Sequence, residues 1–312
     1  MKQQPSRQLS RHVLILGLSI VAGACAKRAA PTQPSSAGSA PPASPPAVTD
    51  QGGKPAAEGG ALPAGIDLAK LDAAKRKLFE QVIGREPSAC GKGHSLLHSV
   101  THDSSCRASF YAVRYVARLA EAGSSELEIG EKLQQRFHTP RVSYIDLSQA
   151  PSQGSPSGRV KIVEFADYEC THCKEAQALT HQLLADYPKD LTVYFKHYPL
   201  GGHINSYNAA MGAVAAQNQG KFWQFSDKVW ENSDHLTPAV LEGIAKDLGL
   251  DFPRWIGEVG SEEVRGRVQR DRAEGRGLEI RRTPGIFLNG RRYTDEIDLP
   301  SLKDWIDEEL GR

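Results

Sequence analysis

Residues 160–166, "VKIVEFA", form a nearly continuous apolar run, and four residues beyond it stand Cys170 and Cys173. A run of that length fits a strand buried on both faces, which requires helices packed against the sheet. The stretch "THCKEAQALTHQLLADY" that follows has helical periodicity. The cysteine pair therefore sits where a buried strand hands over to a helix, and a chain built this way belongs to the α/β class.

That junction bears on cysteine chemistry. Unpaired backbone N–H groups and the positive helix end stabilise a thiolate there, so a thiol with an ordinary pKa of about 8.5 can fall to between about 3.5 and 7.5. Cys170 is the expected nucleophile. Cys173, one turn further on, is expected to point inward and to attack a mixed disulfide formed at Cys170. Thr171 and His172 lie between them, and His172 can add positive charge or a hydrogen bond to the thiolate.

Around this unit, "RVSYIDLS" at 141–148 and "LTVYFKHYPL" at 191–200 read as strands. A long helical region spans about 204–278, and "RRTPGIFLNGRRY" restores strand character. Trp223, Phe225, Trp230 and Trp255 are expected to fill the helical core. His197 and His203 are expected to cap the strand and the loop after it rather than to serve the cysteine site.

The first 63 residues are of another kind. Residues 1–25 begin with Lys2, Arg7 and Arg11 ahead of an apolar run too short to span a bilayer comfortably, as in an export signal. The run ends in "VAGAC" and resembles a bacterial lipobox, which implies lipidation of Cys25; cleavage near Ala24 or a retained anchor is the alternative. Residues 26–63 are Pro, Ala, Ser and Gly with little to bury, and read as a disordered tether. The net charge is +1 with both signs interspersed, which argues against nucleic-acid binding.

Residues 65–140 read as a small helical bundle. Leu68, Leu71, Leu78 and Val82 share one helix face with Gly84 as its cap, Val113, Val116, Ala117 and Ala120 share another that closes at Gly123, and Ser125 with Glu128 makes a capping box for a last helix to about Phe137. Between them Cys90, His94, His98, His102 and Cys106 recur every fourth residue. On one unbroken helix this row could chelate copper or zinc, but Cys90 and Cys106 would then stand about 24 Å apart. Asp103, Ser104 and Ser105 can instead cap a new helix and let the chain fold back, joining Cys90 to Cys106 as a structural disulfide. The disulfide is the reading adopted, and no metal is assigned.

The order of strand acid, Cys-x-x-Cys, long helical stretch and "TPGIFLNG" resembles the DsbA-like thioredoxin-fold thiol-disulfide oxidoreductases over about residues 142–310. The resemblance implies a thioredoxin-like domain at 141–312 with a helical insertion at about 204–278. It further implies that Pro284 is cis, that Thr283 helps hold substrate backbone, and that Glu164 is a buried proton acceptor for the resolving thiol. Thr171-His172 departs from the Pro-His of many members. The function so implied is disulfide exchange with cysteine pairs of exported proteins in the periplasm, oxidase direction favoured, with no bound cofactor and a separate redox partner to reset the pair. A reductase or isomerase of the same fold and a metal-binding lipoprotein are the competing readings.

Overall fold

The computed structural model describes residues 61–138 and 142–311, which fall in one compact unit. The segment expected to be an export signal, Cys25 and nearly all of the stretch expected to be a tether lie outside the described residues. Helices α1 (Ala73–Arg85), α2 (Leu96–His102), α3 (Arg107–Glu121) and α4 (Glu126–Leu133) come first, and α4 runs into a π-helical turn at Gln134–His138. Asp72, Ser95 and Ser125 cap α1, α2 and α4 by accepting a backbone N–H three residues on, and Ser125 with Glu128 completes a capping box. Phe79, Val82, Ile83, Leu96, Val116 and Ile129 form the centre of this bundle.

Two local expectations fail here for identifiable reasons. Helix α1 passes through Gly84 and ends at Glu86, whose backbone is extended; Pro87 follows, and the residue before a proline is driven out of the helical region. The N-cap of α3 is Cys106, not Asp103, Ser104 or Ser105, and it makes no side-chain capping bond because its sulfur is bonded to Cys90. Asp103 instead ends α2 and accepts from Lys92 Nζ at 2.6 Å.

A five-stranded mixed sheet follows, in the order β1-β3-β2-β4-β5. Its strands are β1 (Ser152–Gly154), β2 (Val160–Ala166), β3 (Leu191–His197), β4 (Gly285–Leu288) and β5 (Arg291–Arg292). Strand β2 is central, parallel to β3 and antiparallel to β4. Helix α5 (Thr171–Asp186) connects β2 to β3. Helices α6 (Ser206–Gln217), α7 (Phe222–Glu231), α8 (Pro238–Asp247), α9 (Phe252–Val259) and α10 (Glu262–Gly277) come between β3 and β4, and α11 (Leu299–Leu310) closes the fold.

The segment 141–148 is not the expected strand. Val142 makes one isolated bridge to Arg291, and β1 lies further on. The alternation in "SYIDLS" is real, but Ile145 and Leu147 use it to pack against the sheet face formed by Val163, Phe165 and Phe287 rather than to join a ladder. Asp146 supplies its carbonyl to Lys196 Nζ at 2.8 Å and its N–H to Glu274 at 2.7 Å, which replaces strand pairing for that residue.

Strand β2 is covered on both sides. Val160 and Ile162 face Leu183 of α5 and Trp305 and Ile306 of α11, whereas Val163 and Phe165 face Tyr198 and Ile280. Helix α10 comes so close on the second face that a Cβ on Gly275 would meet the Tyr198 ring at 2.4 Å. Phe225, Trp230 and Trp255 fill the core of the inserted helices as expected, while Trp223 stays half-buried at its edge and donates its indole N–H to Ser152.

The bundle is fastened to α11 by charge. Arg136 has a fully buried side chain 2.5 Å from Asp295 and 2.8 Å from Glu308, and its guanidinium lies 4.3 Å from the Trp305 ring centroid. Arg114 and Arg118 both reach Asp304 on α11. Removing one member of a buried ion pair leaves its partner desolvated and costs about 3–5 kcal/mol. Arg136→Ala is therefore expected to lower the free energy of unfolding in urea by about that amount. Arg136→Lys should recover little of it, since one ammonium cannot keep two carboxylates and the planar contact with Trp305.

Candidate active site

The central position of β2 fixes where the site lies. After Ala166 the chain turns through Asp167, Tyr168 and Glu169, and Cys170 becomes the N-cap of α5. The β2–β4 register sets Phe165 opposite Gly285, so the residues just before β4 lie beside the end of β2. Thr283 and Pro284 are those residues, and the bond between them is cis. The carbonyl oxygen of Thr283 stands 3.5 Å from Cys170 Sγ.

Both cysteines are thiols in this structure, and their environments differ. Cys170 is half-buried, whereas Cys173 is fully buried among Ala166, Tyr168, Phe195 and the inserted helices. The hydrogen bond from Cys173, then contact with Thr283 and the backbone N–H groups of Cys173 and His172, pull the Cys170 thiol down to about 5 against its partial burial. Cys173 is driven the other way, well above an ordinary thiol, by burial first, then by its hydrogen bond to Cys170 and by the charge of Glu164. At neutral pH one sulfur is a thiolate and the other holds its proton. Thr171 and His172 are exposed at the start of α5.

Glu164 is 1% exposed, on the sheet face that carries Ile162 and Ala166, and its Oε1 has no hydrogen-bond partner. Burial, followed by the nearby Cys170 charge, lifts its carboxyl to about 8. A group that changes protonation near neutrality thus lies within electrostatic reach of both sulfurs.

Three residues around the site gave no functional signal in the sequence. Asp167, Tyr168 and Glu169 precede Cys170 directly, yet an acid or a tyrosine at those positions has no chemistry of its own until its partners are known. His203, expected to be a loop cap, lies with its Nδ1 2.9 Å from Asp167 Oδ2. His197 is 2% exposed, not a cap, and burial holds its imidazole down at about 3.

The second cysteine pair is separate. Cys90 and Cys106 are joined, with their Cα atoms 5.9 Å apart. The histidine row survives only in part: His98 and His102 share α2 with ring centroids 4.9 Å apart, while His94 precedes the helix and turns its Nε2 to Asp103 at 3.1 Å. Among the described residues no group of three or more His, Cys, Asp or Glu side chains is placed to hold a metal ion.

Two outcomes follow for titration and stability. The Cys170 thiolate absorbance near 240 nm should appear with a midpoint near pH 5. Because that pKa is depressed on folding, the stabilisation is complete above the unfolded thiol value and lost as pH falls through about 5. The thermal stability of the reduced form relative to the oxidised form should thus climb between pH 5 and 8. Glu164 has the opposite sign, since a raised carboxyl loses stability as pH rises from about 4.5 to 8. Glu164→Gln is expected to stabilise the reduced protein by an amount on the order of a few kcal/mol at pH 8 and by almost nothing at pH 4 in urea unfolding.

Comparison with known proteins agrees with this geometry. A family model described as Thioredoxin matches residues 147–308. The chain is 32% identical over 159 residues to the Na(+)/H(+) antiporter NhaA 3 of Salinispora tropica, covering 51% of this chain and 24% of that one. It is 34% identical over 146 residues to the Na(+)/H(+) antiporter NhaA of Herminiimonas arsenicoxydans, covering 47% and 23%. The chain thus spans about a quarter of the length of the curated relatives it matches. Among solved structures, oxidised BdbD of Bacillus subtilis superposes with a TM-score of 0.51 at 22% identity, over 55% of this chain and 99% of that one. The helix-inserted core has the same fold as BdbD, and the chain belongs to the thioredoxin family.

Proposed function

We propose that the chain exchanges a Cys170–Cys173 disulfide with cysteine pairs of exported polypeptides, acting as the disulfide donor. The observation that carries this reading is the opposite displacement of the two thiols, one toward a thiolate and one toward a protonated, buried sulfur. A stabilised thiolate favours the reduced form, and a pair whose reduced form is favoured is a good oxidant.

In the oxidised protein a substrate thiolate attacks Cys170 Sγ, the Cys170–Cys173 bond breaks, and Cys173 leaves with the electron pair. Glu164, protonated below about pH 8, is the group that supplies a proton toward that buried sulfur. The second substrate thiolate then attacks the substrate sulfur of the mixed disulfide and releases Cys170 as a thiolate. The substrate is oxidised by two electrons and Cys170–Cys173 is reduced, so a separate oxidant must restore the disulfide. Thr283, whose carbonyl stands against Cys170, is assigned to substrate backbone and Pro284 to the wall beside it; Thr171 and His172 face the incoming chain. The Cys90–Cys106 disulfide is assigned to bundle stability.

The activity is assigned to the periplasm, with Cys25 lipidated as the membrane anchor and the helical bundle at 65–140 preceding the exchange domain at 141–312; the signal-like and lipobox-like stretch at 1–25 and the Pro, Ala, Ser and Gly stretch at 26–63 support this reading. The sodium–proton antiport in the names of the curated relatives is not carried over, since the match covers a quarter of their length and no helix among the described residues is long and apolar enough to cross a membrane.

The test is the redox equilibrium of the 312-residue chain with glutathione. An oxidase should give a potential near about −120 mV, while a value near about −270 mV would make it a reductase. Cys170→Ser should abolish exchange, and Cys173→Ser should trap a mixed disulfide with a disulfide-bonded polypeptide, Cys170 opening that disulfide and its second sulfur leaving as a thiolate. Absence of any exchange by the wild type would sink the reading.

A further inference from the structure

Asp167, Tyr168 and Glu169 run up to Cys170, and each sends its side-chain polar group to a different point of the chain between β3 and α7. Asp167 has a fully buried side chain; its Oδ2 accepts the Leu200 N–H at 2.6 Å and lies 2.9 Å from His203 Nδ1, and its Oδ1 accepts the Glu169 N–H at 2.8 Å. The buried Tyr168 hydroxyl donates to Ser226 Oγ on α7 at 3.0 Å. Glu169 Oε2 accepts the N–H groups of both Asn205 and Ser206 at 2.8 Å, at the start of α6. The turn is closed by the Cys170 N–H, which donates to the Asp167 carbonyl at 3.0 Å.

None of these side-chain bonds belongs to the sheet or to a helix ladder, so their cost is not explained by the making of secondary structure. Two acids one and three residues before a thiolate would, by charge alone, oppose its ionisation. Both are occupied elsewhere: Glu169 sits against the positive end of α6, and Asp167 is taken up by two backbone N–H groups and the His203 ring. The turn thereby keeps its acids while committing them to partners other than Cys170.

We propose that Asp167, Tyr168 and Glu169 are positioning residues that lock the Cys170 turn to the inserted helices, so that the redox equilibrium of the Cys170–Cys173 pair depends on where α6 and α7 sit. This inference rests on the exchange chemistry proposed above. It makes the inserted helices a regulator of the site: a polypeptide substrate or redox partner that shifts α6 or α7 alters the thiolate through these three side chains.

The experiment uses the 312-residue chain as wild type, Glu169→Ala, Glu169→Gln and Tyr168→Phe. The glutathione equilibrium, the 240-nm thiolate titration and the thermal unfolding of both redox forms are measured. Glu169→Ala is expected to change the equilibrium constant at least tenfold toward a less oxidising pair, about 30 mV, and to raise the thiolate midpoint. Glu169→Gln keeps an acceptor oxygen and should stay within about twofold of wild type. Tyr168→Phe, which removes one hydroxyl, should move in the same direction as Glu169→Ala by a smaller amount. An unchanged equilibrium and titration in Glu169→Ala, with both redox forms losing thermal stability equally, would reduce the three residues to a structural role and overturn the proposal. If Glu169→Ala does not fold, an unchanged equilibrium in Tyr168→Phe overturns it equally. A wild type that never equilibrates with glutathione would instead remove the exchange reading itself, which is a separate result.

Discussion

A negative charge held at the first turn of α5 is the interaction on which the rest of the structure depends. The backbone N–H groups of His172 and Cys173 reach the Cys170 sulfur only if α5 starts at Cys170, and α5 starts there because β2 ends at Ala166 and a turn closed by the Asp167 carbonyl follows. Strand β2 can end there with its axis aimed at the helix because neighbours and packed helices cover it on both sides. The same burial supplies the counterpart to the thiolate, since it holds Cys173 and Glu164 out of water. Burial of one sulfur and hydrogen bonds to the other, one turn of helix apart, separate the two chemically.

Much of this was legible in the sequence because it depends on local order. The run "VKIVEFA" and the periodic stretch after Cys170 declared a strand and a helix on either side of the pair, and Gly123, Ser125 and Glu128 marked their helix ends correctly. Helical rise set a metal-binding row and a Cys90–Cys106 disulfide apart as exclusive readings, and the disulfide is the one the structure contains. Most of what failed depended on partners distant in sequence. The alternation at 143–148 reads the same whether Ile145 and Leu147 pack on a sheet face or a strand pairs at its edge. Gly84 could be passed over because Pro87 decided the end of α1. His203 read as a loop residue since nothing in "PLGGHI" announces an aspartate thirty-six residues upstream.

Two kinds of polar burial coexist in this molecule and do different things. Arg136, Asp295 and Glu308 are buried as a matched set, with charge opposite charge and an aromatic ring beside it. Glu164 is buried with an oxygen left unpartnered. The first arrangement fixes a contact; the second keeps a carboxyl poised to change state. Reading burial alone would merge them, whereas the opposite charge facing Asp295 and Glu308 sets them apart from Glu164.

The charged fastening between the bundle and α11 has a mechanical consequence. Arg114, Arg118 and Arg136 engage acids on or just before α11, and α11 in turn shares a core with α5, the helix that begins at Cys170. The bundle is therefore a handle rather than a pendant: a pull on it passes through α11 to the helix that begins at Cys170.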